Sequence, residues 1–205
     1  MSVFPFSASS PLQIQLSSPK LSWVFHPGML FDSELKWWTP GKRRSPHEGL
    51  DLCILQSWGQ NPYPVPAGTA VTPIAPGRVT AIIPDFLDQT VIQSHGLEED
   101  EGREWISILA HIRPHPDLIP GARPEPGQTV GWTAAWNGPP GMLCHLHLSL
   151  GLVHPPYDAS LTWPDFVRRE HVQFIDPLPL LPVPAIHWPD SQAWFEFVSQ
   201  LASKS

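Results

Sequence analysis

Leu143-Cys144-His145-Leu146-His147-Leu148-Ser149-Leu150 alternates apolar and polar side chains without interruption. That period of two belongs to a β-strand, where residues i and i+2 share a face. Leu146, Leu148 and Leu150 therefore point together into apolar packing. His145 and His147 project together from the opposite face. Two imidazoles so placed suit a metal ion, or one metal ligand beside one acid–base group. Spacing alone equally fits two polar side chains on a solvated sheet face.

Working outward, the loop Trp136-Asn137-Gly138-Pro139-Pro140-Gly141 delivers the chain into this strand. Upstream, Trp105-Ile106-Ser107-Ile108-Leu109-Ala110-His111 is the clearest other strand, and period two puts Leu109 on the groove side with His111. Shorter strands are read at Leu50 to Leu55, Thr69 to Ile74, Arg78 to Ile83 and Val91 to Ser94, with an acidic hairpin tip from Glu98 to Glu104. Residues 1–20 read as an N-terminal arm or edge strand, with alternation at Leu12 to Leu16. Residues 21–46 read as a long surface loop leading into the core. Residues 21–182 are expected to form a single β domain, and 183–205 a C-terminal extension. Short helices are expected over 163–171 and 189–203, the latter behind Asp190 as a cap. The predicted fold is all-β: an antiparallel sheet domain with an open groove and few short helices.

Composition agrees. The 205 residues suffice for one domain, and 27 prolines with only 15% charged residues disfavour long helices. A net charge of −7 is a poor match for nucleic acid. No apolar run of membrane-spanning length occurs, so no membrane span is expected. The opening Met1-Ser2-Val3-Phe4-Pro5-Phe6 lacks a basic segment followed by a long apolar one, and is not read as a signal peptide. A cytoplasmic location, a removed leader and another export route all stay open.

The second pair of chemistry-bearing residues is His47 and Asp51. Pro46 and Gly49 disfavour a helix there, so a turn feeding a strand near Leu50 is expected to bring imidazole and carboxylate together. Catalytic zinc takes three protein ligands plus water. Bound to the cation, water loses its proton more readily. Hydrolysis also needs a proton shuttle and an oxyanion stabiliser. His111 and the remaining histidine of the 145/147 pair are suited to both, since imidazole titrates near neutrality.

Arg44-Ser45-Pro46-His47-Glu48-Gly49-Leu50-Asp51-Leu52, then Gly68-Thr69-Ala70-Val71, Ala75-Pro76-Gly77-Arg78-Val79, Leu109-Ala110-His111, Val130-Gly131, His145-Leu146-His147-Leu148 and Ile175-Asp176-Pro177-Leu178 follow one another in a recognisable order. This order resembles the lysostaphin-type, or LytM-type, zinc metallopeptidases, which cut peptidoglycan. The resemblance spans roughly residues 15 to 182, opening at Ser18-Pro19. It implies that His47, Asp51 and His147 bind Zn2+, and that His111 and His145 are the catalytic histidines. It also implies an endopeptidase of peptidoglycan cross-bridges or stem peptides, Gly- or D-Ala-containing, working outside the cytoplasm. The sequence departs from the family pattern at Leu148, where Phe is usual, and at Leu109, where Tyr is usual.

Two alternatives differ in class. One is a non-catalytic, metal-containing cell-wall binding or regulatory module. The other is a metal-dependent oxygenase with a His/Asp/His triad, which has no use for two extra histidines. Trp37, Trp38, Trp58, Trp132 and Trp136 are candidate groove walls, with ordinary packing the competing role. His26, His95, His154, His171 and His187 are assigned no chemistry, and His115, a second candidate by its closeness to His111, is read as a surface residue. Cys53 and Cys144, the two cysteines, read as buried free thiols, with a disulfide left open.

Overall fold

The computed structural model describes residues 5–6, 10–13, 21–98, 102–136, 141–154, 162–167, 169, 171–189 and 191–202. In chain order its strands are β1 (Leu21–Phe25), β2 (Leu50–Leu52), β3 (Ile54–Ser57), β4 (Tyr63–Pro64), β5 (Ala70–Val71), β6 (Arg78–Pro84), β7 (Gln89–Leu97), β8 (Glu104–Pro114), β9 (Gly131–Thr133), β10 (Leu146–Val153), β11 (Val172–Ile175) and β12 (Ala185–His187). The helices are α1 (Trp163–Val167) and α2 (Ser191–Ala202).

The larger sheet runs β11-β10-β8-β7-β6, with β2 also on β10 and the β5-β9 pair attached through β9 to β8. The smaller sheet is β12-β1-β3-β4. Among the described residues every pair is antiparallel except β1 with β12. The expected β class, open and poor in helix, holds.

The alternation that begins at Cys144 is realised in β10. Leu146, Leu148, Leu150 and Leu152 enter the main core beside Val79, Val91 and Leu109. The other face carries His147 and Ser149, and along it lies a smaller apolar cluster that includes Ile92, Ile106, Ile108 and Val153. The large sheet is thus covered on one side and bears the polar cluster on the other.

Three expectations need correction. The single strand from Leu50 to Leu55 breaks at Cys53. β2 pairs with β10 in the large sheet, while β3 pairs with β1 in the small one. Both halves are apolar, so the sequence carried no mark of the change of partner. Residues 21–46 are not a surface loop. They contribute β1 and a 3-10 turn at Pro27–Met29, and Trp23, Phe25, Met29 and Trp37 are buried. Finally, Leu109 lies in the main core rather than beside the groove. The register between β7 and β8 shifts between Gln89/Val91, so that Ala110 and His111 stand where one residue would fit. This bulge breaks the period-two relation between residues 109 and 111.

The acidic segment after Leu97 joins β7 to β8 as a hairpin, with Glu98 N donating to Arg103 O, although residues 99–101 lie outside the described residues. Leu12 bridges Val71 and Gln13 N donates to Ala70 O, while residues 14–16, Ser18-Pro19, Asn137 to Pro140 and the Asp190 cap also lie outside them. α1 spans less of 163–171 than expected. α2 buries Trp194 and Val198 against the core, and Trp194 Nε1 donates to the Trp37 carbonyl at 2.7 Å. Both cysteines are free thiols, Cys53 buried and Cys144 partly so. No described helix is long and apolar enough to cross a membrane.

Candidate metal centre

Sheet register assembles the site. On β10, His147 stands directly opposite Asp51 of β2 and, across its other edge, opposite Ala110 of β8. Directly paired residues share a face, their Cβ atoms about 5 Å apart. One ladder position thus brings together residues nearly a hundred apart in sequence. His47 arrives on the loop just before β2. Gly49 lets that loop press onto β10: a Cβ there would meet the Leu148 carbonyl, the Ser149 hydroxyl and, at 2.8 Å, His147 Nε2.

Three donor atoms converge. His47 Nε2 lies 3.1 Å from His147 Nδ1 and 3.2 Å from Asp51 Oδ1, and His147 Nδ1 lies 2.9 Å from Asp51 Oδ1. Ligands on zinc at bond lengths of about 2.0–2.2 Å stand roughly 3.3–3.6 Å apart in a tetrahedral site. The triangle is therefore close to one face of such a tetrahedron. Proton positions agree. His47 Nδ1 faces the Leu30 carbonyl at 3.0 Å, an acceptor only, so Nδ1 carries the hydrogen and neutral Nε2 offers a lone pair. His147 Nε2 is engaged by Ser149 Oγ at 2.7 Å, leaving Nδ1 for the cluster.

Asp51 divides its oxygens. Oδ2 accepts from Trp37 Nε1 at 2.6 Å and from Arg43 at 3.2 Å, which frees Oδ1 for the two imidazoles. Burial would push this carboxyl up, but His47, His147 and His145 together outweigh burial and hold it well below the usual carboxylate range. His47, Asp51 and His147 are all buried. Two nitrogen lone pairs and a carboxylate oxygen at these separations form a cluster positioned to hold a divalent ion, with the donor set that zinc takes.

Two more imidazoles stand beside the cluster. His145 Nε2 lies 3.9 Å from Asp51 Oδ1, while its Nδ1 donates to the Leu143 carbonyl at 2.8 Å. Burial lowers its pKa to about 3, against the opposing pull of Asp51, so the ring is neutral with a bare Nε2. The His111 ring is 4.8 Å from that of His145 and 5.9 Å from that of His147, centroid to centroid. Its backbone is left-handed at φ 64°, an uncommon state for a residue with a side chain. Asp85 meets it twice: Oδ2 accepts from His111 N at 2.9 Å, and Oδ1 lies 3.2 Å from Nδ1. All five residues singled out in the sequence therefore meet at one place.

A cavity of about 350 Å³ opens over the cluster, lined by Trp38, Phe86, Met142 and Trp163 together with His111 and His145. Of the five tryptophans considered as walls, Trp38 lines it. Trp37 is fully buried and holds Asp51, and Trp58 is exposed beside β1 and β12. Trp132 packs on His115, and Trp136 packs against the main core. Trp163, Arg43, Asp85 and Ser149 were not identified from sequence. For Asp85 the turn-forming Pro84-Asp85 pair was the available signal. Ser149 continues the alternation of β10, and so was within reach of the same periodicity.

No family model and no curated protein matches the sequence. Solved structures do align. The catalytic domain of lysostaphin from Staphylococcus simulans is 18% identical, covering 65% of this chain and 77% of that one at a TM-score of 0.40. LytU is 17% identical, covering 74% and 79% at 0.45. Csd3 of Helicobacter pylori is 18% identical, covering 97% of this chain but 42% of that one at 0.44. The chain spans 48% of a longer lysostaphin structure that it also matches. At these identities and scores the alignments carry no functional weight of their own. The chain resembles the lysostaphin-type, or LytM-type, zinc metallopeptidases in the order of its motifs and in the His–Asp–His cluster those motifs build.

Proposed function

We propose that this chain is a zinc-dependent endopeptidase acting on peptide bonds of peptidoglycan, in cross-bridges or stem peptides. One observation carries the reading. Three donors form a metal-sized triangle, and two further imidazoles stand at its open side. A purely structural clamp has no need of that second pair.

His47 Nε2, Asp51 Oδ1 and His147 Nδ1 would hold the ion. Zinc, when bound, polarises carbonyl groups and lowers the pKa of a coordinated water to about 7. The rest falls to the chain. His145, neutral with a bare Nε2, accepts a hydrogen bond from the attacking water and takes up its proton. His145 then returns that same proton to the departing amine, while His111, on the other wall, turns its Nε2 to the attacking water and orients it. Trp38, Phe86, Met142 and Trp163 exclude bulk water and flank an extended peptide. Such a wall polymer lies outside the cytoplasmic membrane, and we place the working protein there.

The test is a panel of peptidoglycan fragments and oligoglycine peptides, incubated with zinc-loaded protein and read by mass spectrometry with and without chelator. Chelator-sensitive cleavage at a peptide bond is expected. Zinc retention with no cleavage of any member would sink the peptidase reading and favour a binding module.

A further inference from the structure

We infer that Asp85 is a positioning residue for His111, fixing which ring nitrogen faces the reacting centre. The inference rests on the peptidase reading for its consequence, but its geometry stands by itself.

Asp85 lies at the turn between β6 and β7, and its side chain is fully buried. Oδ1 accepts from Leu87 N at 2.8 Å and Asp88 N at 3.0 Å, which is the work of a turn-capping aspartate. Capping alone needs no more. Yet Oδ2 accepts from His111 N at 2.9 Å and Thr90 Oγ1 at 2.8 Å, and Oδ1 also meets His111 Nδ1 at 3.2 Å. An ionised carboxylate only accepts hydrogen bonds, so the ring nitrogen facing it carries the hydrogen. The lone pair of neutral His111 is thereby placed on Nε2, away from Asp85.

The β8 bulge supplies the other half of the device. A regular strand would spend the His111 amide on the ladder with β7. In the bulge that amide turns to Asp85, the backbone takes φ 64°, and the ring swings onto the face of His147. Amide and ring are then gripped by one carboxylate. Phe86, the next residue, packs its ring 4.5 Å from that of His111, and the Trp163 ring lies stacked at 6.5 Å. A flip of the ring would break its bond to Asp85 Oδ1.

The experiment reads the tautomer directly. Protein with 15N-labelled histidine is examined by long-range proton–nitrogen correlation at pH 7.5, metal-free and zinc-loaded, with His111 assigned by loss of its signals in His111→Gln. Wild-type His111 is expected in the Nδ1–H form. In Asp85→Ala, which removes the acceptor facing Nδ1, the Nε2–H form should appear. On a cleaved peptide, kcat should fall about 10- to 100-fold with KM and zinc content unchanged. An Nε2–H wild-type ring overturns the inference, as does a folded Asp85→Ala protein with wild-type kcat. The wild-type spectrum decides the matter even if the variant fails to fold. If no peptide is cleaved by wild type, the peptidase reading falls, and the tautomer still tests Asp85.

Discussion

At the scale of single residues, the candidate centre depends on which atoms are already occupied. Replacing His47, Asp51 or His147 with Ala removes one corner of the triangle, and each variant should lose zinc by elemental analysis of purified protein. His111→Ala and His145→Ala leave the triangle intact, and should keep zinc while losing hydrolysis. Normal turnover in either would remove its assigned role. Trp37 acts one step back. Trp37→Phe keeps the ring's bulk but removes the Nε1 donor to Asp51 Oδ2, so zinc affinity should weaken about 10- to 100-fold. Competition with a chromogenic chelator measures this, and unchanged affinity would assign Trp37 to packing alone. The four candidate-site histidines and Asp51 were legible because each sits on a motif whose spacing is local. Trp37, Arg43 and Asp85 were not. They reach the site through contacts between elements, and a tryptophan or aspartate in a loop carries no sign of its distant partner.

At the scale of elements, β10 organises the molecule because its two faces differ. Leu148→Ala on the packed side should cost about 2–5 kcal/mol, measured by denaturant unfolding. A cost under about 1 kcal/mol would mean that this side of the strand is not core. Strand alternation was readable wherever one partner sheet covers one face, as in β8 and β10. It failed where the chain changes sheets at Cys53, since an apolar run looks the same on either side of the change. It failed again at residues 110–111, where a bulge shifts the phase. The stretch 21–46 was hidden for a different reason. Its prolines, glycines and basic residues resemble loop, while its buried indoles and β1 obtain their partners from the far end of the chain.

At the scale of the whole molecule, His26 lies under α2. Its Nδ1 accepts from Gly28 N at 2.9 Å, its Nε2 meets Ser191 Oγ at 3.2 Å, and its ring packs 5.4 Å from that of Trp194. Burial lowers its pKa from 6.5 to about 4. Such a ring takes up its proton more readily in the unfolded chain. Its contribution to stability is therefore complete above pH 6.5 and drains away as pH falls toward 4. Thermal melts across that window should show the decline, and His26→Gln should flatten it. An equally steep decline in the variant would move the effect to other groups.

The hydrogen bond from Trp194 to the Trp37 carbonyl gives the C-terminal helix a lever on the distant carboxylate. Two indoles stand in series between α2 and Asp51, so peeling that helix from its bed unseats the first and slackens the second. Acid that protonates His26 pulls at the same hinge. Affinity for an ion held by Asp51 is thus expected to depend on whether α2 stays docked.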